Sequence, residues 1–379
     1  MEMKTAEAPK STTAKSGKVW GKFFLPGPTE VLPEVLEAQL KPMIGHRGVG
    51  IKTLIERLQV GLQDVFRTKQ QVFLSTSSAT GLMEAAARNG VQKKALALVN
   101  GAFSLRFAEI VESCGFECER MEVEWGGVFD PQTLRDRLKK GGIDAVTVVH
   151  SETSTGALNP IGEISKVVHE FDDVVILVDS VTGIGGAPAL TDEWQLDFIL
   201  TGSQKALALP PGLSFGTPSE RLMQRSKTAK NKGVYFDLVT FAKNQKDFMT
   251  PTTPALSVMY SLDVQLERIK KETMEGRWAR HAAMLKRCGE WVDSMREDRG
   301  VGISVLAPAG HRSPTVTTVK MPEGLPSAPV VAGMKEKGFV IGGGYGKIKD
   351  YTFRIGHMGD HTVAGQEAVL EALSEVLTK

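Results

Sequence analysis

Between residues 50 and 260, short runs of aliphatic and β-branched residues alternate with longer segments whose apolar residues recur at helical spacing. Consecutive parallel strands need a long crossover connection, usually a helix, so this alternation predicts a mostly parallel, doubly wound α/β sheet. The predicted strands cover residues 71–74, 95–99, 145–149, 174–178, 198–201 and 213–216. The predicted helices cover residues 50–66, 80–89, 103–114, 131–139, 161–170 and 220–226.

The pattern of the sequence changes after residue 254. A long helical pattern over 255–299 is followed by strand patterns at 315–320, 339–341 and 351–355 and helical patterns at 329–337 and 363–377. This order predicts a smaller α+β domain at the C-terminal end. We therefore predict a disordered or flexible tail over 1–22, a large domain with an N-terminal arm over 23–265, and a small domain over 266–379.

Charge and composition argue against several classes of partner. The chain has 379 residues, of which 46 are basic and 44 acidic, and its formal net charge is +2. Such a balance predicts neither nucleic-acid binding nor an anionic membrane partner. No apolar run approaches the roughly 20 residues of a membrane span. Three cysteines (Cys114, Cys118 and Cys288) are too few for a disulfide framework, so we expect a cytoplasmic protein with free thiols and no metal site.

One acidic and one basic residue stand out against this background. The apolar run 174–178 ends on Asp179, and an acidic residue at the end of a buried parallel strand faces the crevice where α/β proteins bind ligands. Lys205 follows among small residues in the segment TGSQKA, residues 201–206. Pyridoxal 5′-phosphate needs a lysine for its Schiff base and a carboxylate that keeps its ring nitrogen protonated. Alternatively, Asp179 is a helix cap or ion-pair partner and Lys205 a surface residue.

Further motifs occur along the chain in a set order. They are LPGPT at 25–29, IGHR at 44–47, NGAF at 100–103, HSETSTG at 150–156, VDSV at 178–181, GSQKA at 202–206 and FRIGHMG at 353–359. Together they resemble the class V aminotransferases of fold type I, most closely the alanine–glyoxylate and serine–glyoxylate branch. The resemblance runs from about Phe24 to the C-terminus. It implies a large domain with a mostly parallel seven-stranded sheet, a smaller C-terminal α+β domain, and a homodimer with shared active sites.

The phosphate of pyridoxal phosphate requires backbone N–H donors, which the N-terminus of a helix provides. Ser78, Ala79 and Thr80 lie between the strand predicted at 71–74 and the helix predicted at 80–89, so we assign them to this phosphate. Gln204 would add a side-chain amide donor. The alternative is a plain Ser/Thr helix cap that holds no ligand.

The resemblance assigns four further residues to the cofactor. It implies that Phe103 stacks on the pyridine ring and that Thr153 hydrogen-bonds on the side of the phenolic oxygen. It also implies that Thr253, and by extension Thr250, reaches the phosphate bound in the neighbouring subunit. From the sequence pattern alone, Phe103 would be interpreted as a core residue.

Arg354 is the predicted binding residue for the substrate carboxylate. A planar guanidinium makes two parallel hydrogen bonds to a carboxylate, and a lysine cannot reproduce that fork. By resemblance, Gly27 helps to hold the same carboxylate, while His46 and Arg47 lie at the rim and come from across a dimer interface. The alternative is a surface arginine at a strand end, with Arg47 or Arg312 available for the carboxylate.

Three other patterns mimic functional motifs. Residues 212–216 (GLSFG) match the nucleophile elbow of serine hydrolases around Ser214, but that elbow needs a helix directly after the serine. Residues 183–186 (GIGG) follow a strand, yet Pro188 stands where a dinucleotide fingerprint has its third glycine. His357, Asp360 and His361 could imitate a metal trio, although their glycine-rich surroundings predict a loop.

The predicted function is the transfer of an amino group from alanine or serine to a 2-oxo acid, with glyoxylate as the expected acceptor, by a ping-pong mechanism. Alternatively, the protein is a transaminase that uses another donor–acceptor pair, with aspartate, ureidoglycine or an aminophosphonate as donor and pyruvate as acceptor. A lyase of the cysteine-desulfurase type is a further alternative, as is a serine hydrolase centred on Ser214. The sequence does not specify the side chain of the substrate.

Overall fold

The computed structural model describes residues 21–378, so the predicted tail lies outside it except for Gly21 and Lys22. The first elements are β1 (Phe23–Phe24), α1 (Pro33–Glu37), α2 (Val49–Phe66), β2 (Phe73–Ser75), α3 (Ala79–Gly90), β3 (Lys94–Val99), α4 (Ala102–Ser113), β4 (Glu117–Glu122) and α5 (Pro131–Leu138). They are followed by β5 (Ala145–Val149), β6 (Ser151–Glu152), β7 (Ala157–Leu158), α6 (Ile161–Val168), β8 (Val175–Asp179), β9 (Phe198–Gly202), β10 (Ser214–Pro218), α7 (Glu220–Thr228) and α8 (Leu238–Gln245). The last are α9 (Leu256–Glu272), α10 (Met274–Glu297), β11 (Ser304–Val305), β12 (Val316–Lys320), α11 (Ala328–Glu336), β13 (Val340–Gly343), β14 (Thr352–Gly356) and α12 (Val363–Leu377).

A seven-stranded sheet with the order β2-β10-β9-β8-β5-β3-β4 forms the centre of the larger part of the chain. Its strands pair in parallel, except that β10 is antiparallel to both of its neighbours. Alternate residues of β8 enter two separate apolar clusters: Val175 and Leu177 pack with α3 and α4, whereas Ile176 and Val178 pack with α2, α6 and α9. Burial on both faces explains the unbroken apolar run in the sequence. The predicted α/β class and mostly parallel sheet are confirmed.

A second sheet, of five strands in the order β1-β13-β14-β12-β11, lies in the C-terminal part. Helices α10, α11 and α12 pack against it around one apolar cluster. Strand β1 comes from the other end of the described chain, since Phe23 pairs in parallel with Val340. A two-residue strand has no detectable periodicity, so the sequence analysis did not identify this pairing. The domain boundaries at 22/23 and 265/266 stay predictions.

Several elements differ from the predicted ones. The helix expected over residues 255–299 is interrupted at Thr273, whose positive φ of 65° ends α9, while its side chain accepts a hydrogen bond from the Gly276 N–H in the first turn of α10. The sequence analysis also did not predict α1, β4, β6, β7, α8 and β11; of these, β4 is an edge strand rich in charged residues without an apolar run. Within residues 21–378, no helix combines the length and the apolar character needed to cross a membrane.

The carboxyl ends of five strands of the larger sheet meet at one edge. Strand β2 is parallel to β9, because both are antiparallel to β10. Helix α3 follows β2, and α4 follows β3. The segment with Thr153 follows β5, Asp179 is the last residue of β8, and Lys205 follows β9. In open α/β sheets this edge is where ligands bind, so the topology brings the predicted site residues together.

Candidate active site

A cavity of about 130 Å³ opens at this edge of the sheet. The predicted site residues that line it are Ser78, Ala79, Thr80, Phe103, Thr153, Asp179, Gln204 and Lys205. The sequence analysis did not assign the other lining residues to the site; they are Met83, Arg106, Val149, Ser151 and Val181. The structure thus brings eight of the thirteen predicted residues to one cavity.

Lys205 lies in the loop after β9, and its ammonium donates a hydrogen bond of 2.7 Å to the carbonyl oxygen of Pro26. Burial is the main cause that lowers the pKa of Lys205 to about 8, and the positive charge of Arg354 lowers it further, while Asp179 opposes the shift. An amine with a pKa near 8 is neutral in a substantial fraction of molecules at physiological pH. Only the neutral amine is a nucleophile, so this lysine suits attack on an aldehyde.

Gly27 packs directly against this lysine. Its φ is +106°, and a Cβ at this position would lie 2.4 Å from the Nζ of Lys205. A side chain at position 27 would therefore move the amine as well as strain the backbone. The resemblance assigned Gly27 to the substrate carboxylate, and the geometry adds a second requirement for glycine here.

We expect Gly27→Ala to slow the covalent loading of pyridoxal phosphate about tenfold or more, because the methyl group pushes Lys205 from its rotamer. The matched control is Gly115→Ala, since Gly115 has a φ of +85° but no neighbouring atom within 4 Å of the place that a Cβ would occupy. The measurement is the rate at which Schiff-base absorbance appears after cofactor is added to apoprotein. Equal rates for the two variants would contradict the contact between Gly27 and Lys205.

Asp179 is a buried carboxylate with one side-chain hydrogen bond in the described chain, 2.8 Å from the N–H of Val181. Burial is the main cause that raises its pKa to about 7, and the charge of Glu152 adds to the effect, whereas Val181 and Lys205 oppose it. A cavity-lining carboxylate without a cation in contact is unfavourable by itself. A protonated ring nitrogen would supply that cation, so Asp179 fits pyridoxal phosphate.

The start of α3 offers free donors to the same cavity. Ser78 is the N-cap residue, but its side chain makes no capping hydrogen bond. The neighbouring Ser77 hydroxyl pairs instead with the Ser214 hydroxyl at 2.9 Å. The first N–H groups of a helix have no partner within the helix and attract an anion. This arrangement fits the phosphate and differs from the alternative of a plain serine cap.

An aromatic wall at the first turn of α4 bounds the cavity. The carboxylate of Glu152 accepts hydrogen bonds from the N–H groups of Phe103 and Ser104 at 3.3 and 2.9 Å. The Phe103 ring stacks on Tyr345 with 5.5 Å between centroids, and the Arg106 guanidinium lies 4.9 Å from the Phe103 centroid. Arg106 also donates a 2.9 Å hydrogen bond to the Tyr345 hydroxyl. The spacing of Arg106, one turn after Phe103, was the only sequence signal for its position.

Arg354 lies in β14, partly buried beside the cavity. Its Nε donates to the Gly343 carbonyl at 2.8 Å, and its Nη1 makes a longer bond of 3.3 Å to the Thr153 carbonyl. Its guanidinium carbon is 5.5 Å from the centroid of the Tyr345 ring. Burial lowers the pKa of Arg354 to about 10, so the group remains charged at neutral pH. These contacts argue against a surface arginine.

Five of the thirteen predicted residues do not line the cavity: Gly27 and Arg354, described above, and His46, Thr250 and Thr253. Arg47 donates hydrogen bonds to the carbonyl oxygens of Thr250 and Pro251, so the segment around His46 is tied to residues 250–251. Thr250 is buried and its hydroxyl donates to the Thr252 carbonyl, whereas Thr253 is exposed. Arg312, the other alternative for the carboxylate, donates to the Ala307 carbonyl away from the cavity.

The residues on which the serine-hydrolase, desulfurase and metal-site alternatives depend have structural roles in the fold. Ser214 begins strand β10, so it lacks the strand-to-helix turn of a nucleophile elbow. Cys288 is buried in α10, where burial raises the pKa of its thiol to about 12, and none of the three cysteines lines the cavity. His357 pairs with the Thr317 hydroxyl, and Asp360 forms an ion pair with Arg277. Within the described residues, no group of three or more candidate side chains is arranged to hold a metal ion.

Comparisons with a family profile and with individual proteins point to aminotransferases. Residues 26–344 match the family profile described as aminotransferase class V. An uncharacterized aminotransferase of Methanocaldococcus jannaschii is 39% identical over 358 residues, covering 93% of this chain and 90% of that protein. The serine–glyoxylate aminotransferase of Methylorubrum extorquens is 31% identical, covering 89% and 86%.

The fold is likewise that of a solved aminotransferase. The alanine–glyoxylate aminotransferase of Nostoc sp. superposes with a TM-score of 0.88 at 27% identity, covering 100% of this chain and 98% of the other. The family match spans well over half of the 379 residues, and the cavity carries a lysine and a carboxylate suited to the family's cofactor. The chain belongs to the class V aminotransferases, which are enzymes dependent on pyridoxal 5′-phosphate.

Proposed function

We propose that this protein transfers the amino group of alanine or serine to glyoxylate in two half-reactions at one site. The observation that carries the proposal is the single cavity lined by Lys205 and Asp179, with Arg354 beside it. The names of the two glyoxylate aminotransferases compared above support glyoxylate as acceptor.

Each cavity residue has a defined task in this proposal. When bound, pyridoxal phosphate supplies an aldehyde that takes up the amino group and a ring that stores the electron pair released at Cα. The Nζ of Lys205 holds the cofactor covalently and, when released as a free amine, removes the proton from the donor's Cα. The carboxylate of Asp179 keeps the ring nitrogen protonated. The residues assigned to hold the phosphate and the ring are Ser78, Ala79, Thr80, Gln204, Phe103 and Thr153.

Arg354 would bind the α-carboxylate that donor and acceptor share. Its Nη2 has no protein acceptor in the described chain, and its Nη1 bond to the Thr153 carbonyl is long, at 3.3 Å. Both Nη groups can therefore turn to a carboxylate while Nε stays bound to Gly343. A guanidinium held at Nε is oriented before the substrate arrives, which reduces the entropy lost on binding.

Arg354→Lys should lower kcat/KM about 30- to 1000-fold for donor and acceptor alike, because lysine keeps the charge but loses the planar fork. The matched controls are Arg47→Lys and Arg312→Lys, measured in both half-reactions. The absorbance of bound cofactor should not change in any of the three variants. The assignment fails if Arg354→Lys uses both substrates normally while one control variant does not.

We also propose that the protein is a homodimer whose sites are shared. The hydrogen bonds of Arg47 to residues 250 and 251 would present His46, Thr250 and Thr253 together to a neighbouring subunit. Exposed Thr253 fits direct contact with that subunit's phosphate, whereas the Thr250 hydroxyl is already used by the Thr252 carbonyl. A mixture of Lys205→Ala and Thr253→Ala proteins should regain activity after subunit exchange if one intact site forms per heterodimer. An inactive mixture that contains heterodimers would contradict shared sites.

Aspartate is a second candidate donor, and the observation that favours it is Arg106. This arginine lines the cavity and uses only Nη2 for its bond to Tyr345, so its other nitrogens have no protein acceptor in the described chain. A second carboxylate could pair with them. The deciding measurement is a panel of alanine, serine and aspartate as donors with glyoxylate, pyruvate and 2-oxoglutarate as acceptors. The primary proposal fails if glyoxylate accepts no amino group from alanine or serine.

A further inference from the structure

Five buried hydroxyl groups form a network that runs from the cavity wall towards the smaller sheet. The hydroxyls of Thr153 and Thr182 are 3.0 Å apart, and those of Thr182 and Ser151 are 3.1 Å apart. Ser151 is 2.8 Å from Ser313, which is 2.9 Å from Thr315. All five side chains are at most 4% exposed. Thr153 and Ser151 line the cavity, so the network reaches the place where the cofactor binds.

The direction of one hydrogen bond in this network follows from donor and acceptor chemistry. The Thr182 hydroxyl lies 2.9 Å from the backbone carbonyl oxygen of Ser151, and a carbonyl oxygen can only accept. A hydroxyl has one proton, so Thr182 uses that proton to donate a hydrogen bond to this carbonyl. The 3.0 Å contact between Thr182 and Thr153 then requires Thr153 to be the donor. Thr153 is left with an unshared electron pair, and no proton, for the cavity.

We propose that Thr182 is a positioning residue that makes Thr153 a hydrogen-bond acceptor towards the cofactor. The inference rests on the proposed function, in which Thr153 helps to hold the ring, and on the resemblance, by which Thr153 would lie on the side of the phenolic oxygen. An acceptor in this place favours the protonated form of that oxygen, whereas a donor favours the anion. When the cofactor is bound, Thr182 would therefore help to retain a proton on that oxygen.

The charged groups around the cavity do not contact the Thr182 hydroxyl. They are Glu152, Asp179, Lys205, Arg106 and Arg354, the last of which donates to the Thr153 carbonyl. Within residues 21–378, the hydroxyl of Thr182 has Thr153 and Ser151 as its partners. A substitution of Thr182 therefore alters the hydroxyl direction and leaves these charges in place.

The test is a pH titration of the holoenzyme without substrate, followed by the absorbance of its bound cofactor at the edge of the visible range. In Thr182→Val, the freed Thr153 hydroxyl can donate to the anionic oxygen, and we expect the titration midpoint to fall by about one pH unit. Thr182→Ser keeps the hydroxyl and should titrate as the wild type. Ser313→Ala removes a hydroxyl that contacts neither Thr153 nor Thr182, and it should also leave the midpoint unchanged.

A double variant, Thr153→Val with Thr182→Val, should show no fall, because the donor itself is absent. Thr182→Ala gives the same test if the valine variant does not fold. An unchanged or raised midpoint in the folded Thr182 variant would overturn the inference, and so would an equal fall in Ser313→Ala. Failure of every variant and of the wild type to form the absorbance band would instead contradict the assignment of Lys205.

Discussion

Lys205→Ala should abolish turnover, with a loss on the order of 10⁴-fold or more, because the variant lacks both the covalent attachment of the cofactor and the base that takes the Cα proton. The fold should survive. The pKa of Lys205 is lowered from 10.5 to about 8 in the folded protein, so holding the amine charged below pH 8 costs free energy of folding. Alanine removes that cost, and we expect the apoprotein of the variant to have a melting temperature no lower than that of the wild-type apoprotein at pH 7.

The matched control is Lys227→Ala, since Lys227 lies on α7 and donates to Gln224 far from the cavity. It should retain full turnover. Borohydride reduction of the loaded wild type followed by peptide mapping locates the attached lysine directly. Cofactor found on another lysine, or appreciable turnover in Lys205→Ala, would show that the site has been assigned to the wrong residue.

Asp179→Asn should retain bound cofactor but lose on the order of 10³-fold in kcat, because a neutral amide cannot keep the ring nitrogen protonated. The buried carboxylate has a pKa raised from 3.8 to about 7, so its ionised form above pH 7 is costly in the apoprotein. Asparagine removes this cost as well. We therefore expect the apoprotein of the variant to be no less stable than the wild type at pH 8.

A second buried aspartate provides the control for this prediction. Asp197 is 1% exposed at the opposite end of β9, where its carboxylate accepts hydrogen bonds from the Ile176 N–H and the Ser219 hydroxyl. Asp197→Asn should lower the melting temperature and leave kcat within a few-fold of the wild type. Asp179→Asn, in contrast, should lose most of kcat without lowering the melting temperature of the apoprotein. Near-normal kcat in Asp179→Asn would mean that Asp179 has only a structural role.

Much of the larger sheet could be predicted from the sequence, since the signals there are local. Unbroken apolar runs mark strands buried on both faces, and Asp179 follows the run 174–178 directly. The same run placed the carboxylate at the ligand-binding edge, where the structure also has Lys205. The interruption at Thr273 was missed, because the helical apolar period continues on both sides of it and only the backbone conformation reveals the break.

The sequence by itself determined the class of fold, the cofactor chemistry and most of the residues that line the cavity. Only the tertiary structure brought Tyr345 onto Phe103, Gly27 against Lys205, and the hydroxyl of Thr182 next to that of Thr153. The physical reason is that strand periodicity and helix starts depend on neighbouring residues, whereas these contacts join segments that are distant along the chain. Their distances and donor directions exist only in the folded chain.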